Sequence, residues 1–286
     1  MPHTIKKYLS LVKFSHTIFA LPFALIGFCL AVFYEHQTFA WHKFICVILC
    51  MVFARSAAMA FNRYLDRHFD AKNPRTAIRE IPSGQISASN ALGFVIVNCI
   101  LFMITTYFIN PLCLALSPVA LFVVLFYSYT KRFTALCHLV LGLGLGLAPI
   151  GAFLAVTGYF SALPILLGVI VMTWTGGFDI IYALQDEEFD RNEKLHSIPA
   201  ALGKVNALRV STLLHIITTI LIIAFGLLSE LGVIYWIGAA VYIGLLAYQH
   251  MIVKPHDLSK VNIAFMTTNG FASVIFAAFV IVSLIV

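Results

Sequence analysis

Phe44-Ile-Cys-Val-Ile-Leu-Cys-Met-Val-Phe-Ala-Arg55-Ser-Ala-Ala-Met-Ala-Phe-Asn62-Arg-Tyr-Leu-Asp66-Arg-His-Phe-Asp70 joins two kinds of chain without a break. Its first part is an apolar run interrupted only by Arg55, and about 20 such residues are what a helix needs to cross a ~30 Å hydrocarbon layer. Its last part carries Asn62, Asp66 and Asp70 at i, i+4 and i+8, which sets them along one helix face. A membrane helix that delivers a row of acids to one end is the reading on which the fold turns.

The rest of the chain repeats the first half of that pattern. Of 286 residues, 61% are hydrophobic and 10% charged, against roughly 45–50% and about 25% in soluble domains; a soluble domain is excluded. With a mean hydropathy of +0.97, the fold class is all-α, a polytopic membrane protein with about nine transmembrane helices. Spans are expected at 14–34, 42–64, 88–109, 111–129, 134–157, 161–183, 207–228, 231–252 and 262–285. Lys6 and Lys7 ahead of an apolar run imitate a signal peptide, but no small-residue cleavage site follows Ala31, and the run is read as the first span. No linker-like segment divides the chain, so 1–286 is read as a single domain.

The net charge of +6 does not point to nucleic acid, because the charges are segregated. Sixteen of the eighteen basic residues fall on one side of the expected spans, leaving Lys43 on the other and Arg55 within span 2. By the positive-inside rule that side is cytoplasmic, with the N-terminus inside, and the expected location is the cell (inner) membrane. The two long polar connections, 65–87 and 184–206, share it. The six cysteines lie in or beside apolar segments and read as packing residues.

Asp66-Arg-His-Phe-Asp70 is answered by Asp186-Glu-Glu-Phe-Asp190, each followed by Ile-Pro (81–82, 198–199) and Asn-Ala-Leu (90–92, 206–208). Both copies leave an even-numbered span, which implies a parallel internal repeat with both loops facing the same way. Asp179 stands two turns before Asp186, and Arg55 about two turns before Asn62, so both lie deeper than the acidic motifs. Acids near a bilayer need a counter-charge. Four carboxylates interleaved with Arg63, Arg67, Arg75 and Arg79 suit a magnesium-bridged polyphosphate: hard oxygens for the metal, forked cations for the remaining oxygens. The alternative is that the acids pair with nearby arginines on a solvated loop, which is the reading for Glu80, Glu187, Glu188 and Glu193. Gly142, Gly144 and Gly146 read as close helix packing, not as a phosphate cradle. His138 and His215 read as satisfied core residues, and His16 as a candidate pocket residue.

Asn62-x-x-x-Asp66-x-x-x-Asp70 with Asp186-x-x-x-Asp190 resembles the paired aspartate motifs of the UbiA-type intramembrane prenyltransferases. The likeness spans almost the whole chain and includes His16-Thr-Ile-Phe-Ala-Leu-Pro-Phe23, Ala57-Ala-Met-Ala-Phe-Asn-Arg63, Asn73-Pro-Arg-Thr76, Tyr129-Thr-Lys-Arg-Phe-Thr134 and Tyr182-Ala-Leu-Gln-Asp186. Within that superfamily it is most similar to the 4-hydroxybenzoate polyprenyltransferase branch. The resemblance implies nine helices around a central cavity, bound Mg2+, an isoprenyl diphosphate as donor, and prenyl transfer to an aromatic carbon in ubiquinone or menaquinone biosynthesis. It implies that Asn62, Asp66, Asp70, Asp186 and Asp190 hold magnesium and diphosphate, with Arg63, Arg75, Arg79, Lys131 and Arg132 as further diphosphate contacts. Arg55 is the expected fork for an acceptor carboxylate and Asp179 the group that steers or deprotonates its phenol; the alternative is that the two pair with each other or with backbone. Other acceptors, such as a dihydroxynaphthoate, remain open, as does a secondary transporter.

Overall fold

A computed structural model describes residues 3–12 and 14–286, without the side chains of 3–6 and 14–16; the expectation for His16 therefore lies outside the described side chains. Among the described residues nine helices are long and apolar enough to cross a membrane: span 1 (Thr17–Tyr34), span 2 (Trp41–Lys72), span 3 (Ala88–Tyr107), span 4 (Pro111–Thr130), span 5 (Cys137–Thr157), span 6 (Ala162–Asn192), span 7 (Ile198–Leu228), span 8 (Val233–Ile252) and span 9 (Ile263–Ile285). The only β pairing among the described residues is an isolated Lys254–Asp257 bridge.

The helix starts are written locally. Ser87 Oγ accepts from Asn90 N–H, Asn110 Oδ1 from Cys113 N–H with Pro111 behind it, and Ser197 Oγ from Ala200 N–H ahead of Pro199. Each cap supplies an acceptor to a first-turn N–H that has no carbonyl within its own helix.

Three boundaries differ from the sequence reading, each for a definable reason. Span 2 does not end at 64 but runs to Lys72, since the helix continues after its apolar pattern stops. Span 7 begins at Ile198, not 207, because a short helical piece capped by Ser197 precedes the long one and joins it across a kink at Gly203, φ 74°. The second acidic motif is not one regular helix: Leu184–Asp186 tightens into a 3₁₀ turn before the short helix Glu187–Asn192.

Span 6 is the centre of the bundle. Trp174 is fully buried, its ring 5.2 Å from Phe23 and 5.9 Å from Tyr242. Its indole N–H donates to Asn269 Oδ1, which also accepts from Gln249, so the polar atoms buried among spans 6, 8 and 9 satisfy one another. Spans 5 and 6 approach at backbone distance. A Cβ on Gly142 would lie 2.3 Å from Met172 O, and one on Gly146 2.5 Å from Gly168 O; Gly144 faces Val124 of span 4 instead, at 3.8 Å. Gly146→Val is accordingly expected to cost about 1–3 kcal/mol through overpacking, read as a lowered melting temperature in detergent, whereas Gly144→Ala leaves it near wild type.

Candidate active site

Both acidic motifs face one cavity of about 270 Å³, which opens between the ends of spans 2, 4, 5 and 6 that adjoin the two long polar connections. Of the twelve candidate residues, eleven line it; Arg132 stands behind Asp66. Each of the four motif aspartates meets a different cation. Arg132 Nη2 donates to Asp66 Oδ1 at 2.9 Å and is itself anchored on Ser128 O and Leu65 O. Arg79 donates to Asp70 Oδ1 at 2.6 Å. Arg75 grips Asp186 with two parallel bonds, Nε to Oδ1 at 3.0 Å and Nη2 to Oδ2. Lys131 Nζ reaches Asp190 Oδ1 at 3.4 Å.

Two first-loop residues hold the second motif. Asn73 Nδ2 donates to Asp186 Oδ1 at 3.1 Å, and Arg75 Nη1 donates to the Tyr182 hydroxyl at 2.9 Å. Asn62 Nδ2 donates to Asp66 Oδ2 at 3.2 Å. The connection 73–87 thus crosses from span 2 to span 6 and brings the two copies of the repeat together.

Burial pulls the Arg75 and Lys131 pKa values down, but the ion pairs with Asp186 and Asp190 outweigh it and leave both above their ordinary values. On the basic side, the stabilisation from each pair is therefore complete below that group's ordinary pKa and is lost only as pH rises through its raised one. Thermal melting is expected to be insensitive to these pairs between pH 6 and 9, and Lys131→Met to flatten the decline above pH 10.

Three polar atoms at the site are buried without a partner among the described residues: Arg55 Nε, Arg63 Nε and Asp70 Oδ2. The two deep charges do not pair with each other. Asp179 Oδ2 bonds His138 Nδ1 at 2.7 Å, and Arg55 makes no ion pair among the described residues. Arg55 stands where the polar cavity meets a second, apolar one of about 200 Å³ among spans 2–5; Met59, Tyr127, Leu141 and Leu145 line both. On the opposite wall, Phe19, Phe178, Tyr182 and Phe265 form an aromatic group, with Phe265 4.2 Å from Tyr182 and 5.6 Å from Phe178. Phe265 is carried by a π-helical turn, Ile263–Thr268.

Among the described residues no three His, Cys, Asp or Glu side chains converge as a metal-ligating group, because each aspartate is turned to its own cation. The donor set still fits a hard divalent ion: Asp66, Asp70, Asp186 and Asp190 line one cavity, all ligands are oxygens, and Asp70 Oδ2 is buried with no donor to it among the described residues.

Several expectations need adjustment. Among the described residues Glu80 makes no ion pair with an arginine; it is buried and accepts from the Ser10 hydroxyl. Glu187 and Glu193 do form exposed pairs, with Arg191 and Lys72. His138 is a satisfied buried residue, as expected, but its partner is a site aspartate. His215 bonds His250 and Trp174 O away from the cavity. Sequence reasoning missed Asn73 and Tyr127; Asn73 carried one signal, its place directly before Pro74 and Arg75.

The fold and site define a class of intramembrane helical bundle whose polar chamber pairs two aspartate motifs with three arginines and a lysine above apolar and aromatic walls. Residues 20–280 match the UbiA prenyltransferase family. The chain belongs to that family. It is 34% identical over 175 residues to a 4-hydroxybenzoate octaprenyltransferase of Aliivibrio salmonicida, covering 60% of this chain and 61% of the relative. It is 32% identical over 181 residues to one of Photobacterium profundum, covering 62% and 63%; the matches thus take in less than two thirds of these relatives' length. Among solved structures it resembles a UbiA homolog from Aeropyrum pernix K1, with TM-score 0.85, 32% identity, and 93% and 97% of the two chains covered. A UbiA homolog from Archaeoglobus fulgidus, bound to GPP and Mg2+, shares the fold at TM-score 0.77 and 21% identity, with 98% and 100% covered.

Proposed function

We propose that the chain, as a single domain, transfers a polyprenyl group from an isoprenyl diphosphate to a small aromatic acid, 4-hydroxybenzoate first among them, in membrane quinone biosynthesis. The observation that carries this reading is one cavity holding four aspartate–cation pairs above Arg55, which makes no ion pair among the described residues. The names of the relatives matched support 4-hydroxybenzoate as the acceptor.

Asn62, Asp66, Asp70, Asp186 and Asp190 would hold magnesium, which when bound neutralises diphosphate charge. Arg75, Arg79 and Lys131 line the cavity and now satisfy carboxylates, so a diphosphate offers their N–H groups a second set of oxygens; Arg63 has an Nε without a partner among the described residues, and Arg132, behind Asp66, holds that carboxylate in place. Donors aimed at the departing diphosphate act on charge that grows as the allylic C–O bond breaks, and so lower that barrier. The C–O electron pair leaves with the diphosphate. The ring carbon ortho to the hydroxyl then supplies the pair for the new C–C bond while Asp179 takes the phenolic proton; the ring hydrogen leaves as a proton, its bonding pair restores aromaticity, and Asp179 returns its proton to the phenolate oxygen, so that one proton is released per turnover. Phe19, Phe178, Tyr182 and Phe265 keep water from the allylic cation and present their π faces to it. Arg55 pairs with the acceptor carboxylate, and its fork suits that geometry.

The orientation proposed, in the cell (inner) membrane with both motifs cytoplasmic, is tested by cysteine probes at the exposed Ile78 and Lys194 on a background lacking the six native cysteines. Both are expected to label from the cytoplasmic side; opposite-side labelling would contradict a shared site. The function is tested by incubating purified protein with Mg2+, labelled prenyl diphosphate and a panel of phenolic acids, without any gradient. Prenylated 4-hydroxybenzoate is expected. Uptake into vesicles without covalent product would instead show a transporter.

A further inference from the structure

The His138 imidazole is buried, its side chain 3% exposed, and both ring nitrogens are engaged by other elements. The backbone N–H of Ile198 reaches Nε2 at 3.2 Å. Ile198 is the first residue after the N-cap Ser197, so that N–H has no carbonyl behind it in its own helix. A backbone N–H can only donate, and Nε2 must therefore present its lone pair. In the neutral ring the hydrogen then sits on Nδ1, which faces Asp179 Oδ2 at 2.7 Å.

The N-terminus of span 7 is itself pinned beside this ring. His196 N–H donates to Lys131 O at 2.6 Å, and the Cys137 thiol donates to His196 O at 3.5 Å. The backbone thus fixes the tautomer, and the tautomer fixes the aspartate. Asp179, 22% exposed and lining the cavity, keeps Oδ2 on His138 while Oδ1 accepts no hydrogen bond among the described residues.

We propose that His138 is a positioning residue: it locks the Asp179 carboxylate by one oxygen so that the other is turned into the cavity to accept the hydrogen of the acceptor's phenol. The inference rests on the reading of Asp179 given above. It adds a role for span 5 and for the connection 193–197.

Steady-state kinetics with 4-hydroxybenzoate and a prenyl diphosphate test it in His138→Leu, His138→Gln, and each in an Asp179→Asn background. His138→Leu is expected to lower kcat roughly 10- to 100-fold, the scale on which partners supporting a site residue act, with the prenyl diphosphate KM unchanged. His138→Gln restores most of the loss, because its amide N–H can donate to Asp179 while its amide oxygen accepts from Ile198. In the Asp179→Asn background His138→Leu adds little. Nitrogen-15 NMR of labelled histidine supplies a readout apart from turnover: His138 Nε2 is expected without a hydrogen, and a protonated Nε2 would overturn the tautomer. Gln no better than Leu, or an equal loss in the Asp179→Asn background, would overturn the positioning role. An active wild type with an unimpaired His138→Leu overturns this inference alone. A wild type that binds prenyl diphosphate yet turns over no phenol overturns the reading of Asp179 and the His138 role with it.

Discussion

Asp66→Asn and Asp186→Asn are each expected to reduce prenyl transfer at least ~100-fold while leaving the protein folded in detergent. Removing a single group that stabilises developing charge costs about 10²–10³ in rate, and these substitutions do more than that. Asp66 carries the Asn62 and Arg132 contacts at 3.2 and 2.9 Å, and Asp186 gathers Arg75 and Asn73 from the first loop. The amide keeps the shape and loses the charge, so the proposed metal loses a ligand in a preformed pocket. Fold retention is expected because spans 1, 6, 8 and 9 are held by the Trp174 cluster, not by the ion pairs. Turnover near wild type in either variant, with gel filtration unchanged, would remove the two-motif site.

Arg55→Ala is expected to raise the acceptor KM about 10- to 100-fold and to leave the KM of the prenyl diphosphate within about twofold. A hydrogen bond to a charged group is worth roughly 1.5–3 kcal/mol, which is that range. The prediction is sharp because Arg55 has no ion pair to lose among the described residues and its Nε is already without a partner. Truncation therefore removes a ligand contact without stranding an aspartate. The measurement is a pair of saturation curves, one per substrate; equal shifts in both, or none, would reject Arg55 as the carboxylate fork and leave the metal site untouched.

Much of this architecture is legible in the amino-acid sequence. A bilayer demands about 20 apolar residues per crossing, so the spans read at 111–129 and 231–252 announce themselves and form as Pro111–Thr130 and Val233–Ile252. The i, i+4, i+8 spacing of Asn62, Asp66 and Asp70 places them on one face because span 2 stays helical to Lys72. The illegible part depends on long-range approach. Arg75 finds Asp186, 111 residues away, only because the first loop folds across to span 6. His138 reads as a core histidine, which it is, and nothing local says that Asp179 lies against it 41 positions on. Pro199 and Gly203 look like helix breakers, yet Pro199 sits in a first turn where its missing N–H costs nothing, and Gly203 merely kinks the helix, which resumes after it. The 3₁₀ turn at Leu184–Asp186 likewise leaves no mark in the Asp-x-x-Phe-Asp spacing that the two motifs share.

The most direct test of the central claim is product analysis by mass spectrometry. Purified protein in detergent is given Mg2+, an isoprenyl diphosphate and 4-hydroxybenzoate, with a parallel sample in excess EDTA. The expected result is the ring-prenylated acid together with one released diphosphate per turnover, and no product with EDTA; absence of any prenylated phenol from a folded, diphosphate-binding protein, or full turnover in EDTA, would contradict the account.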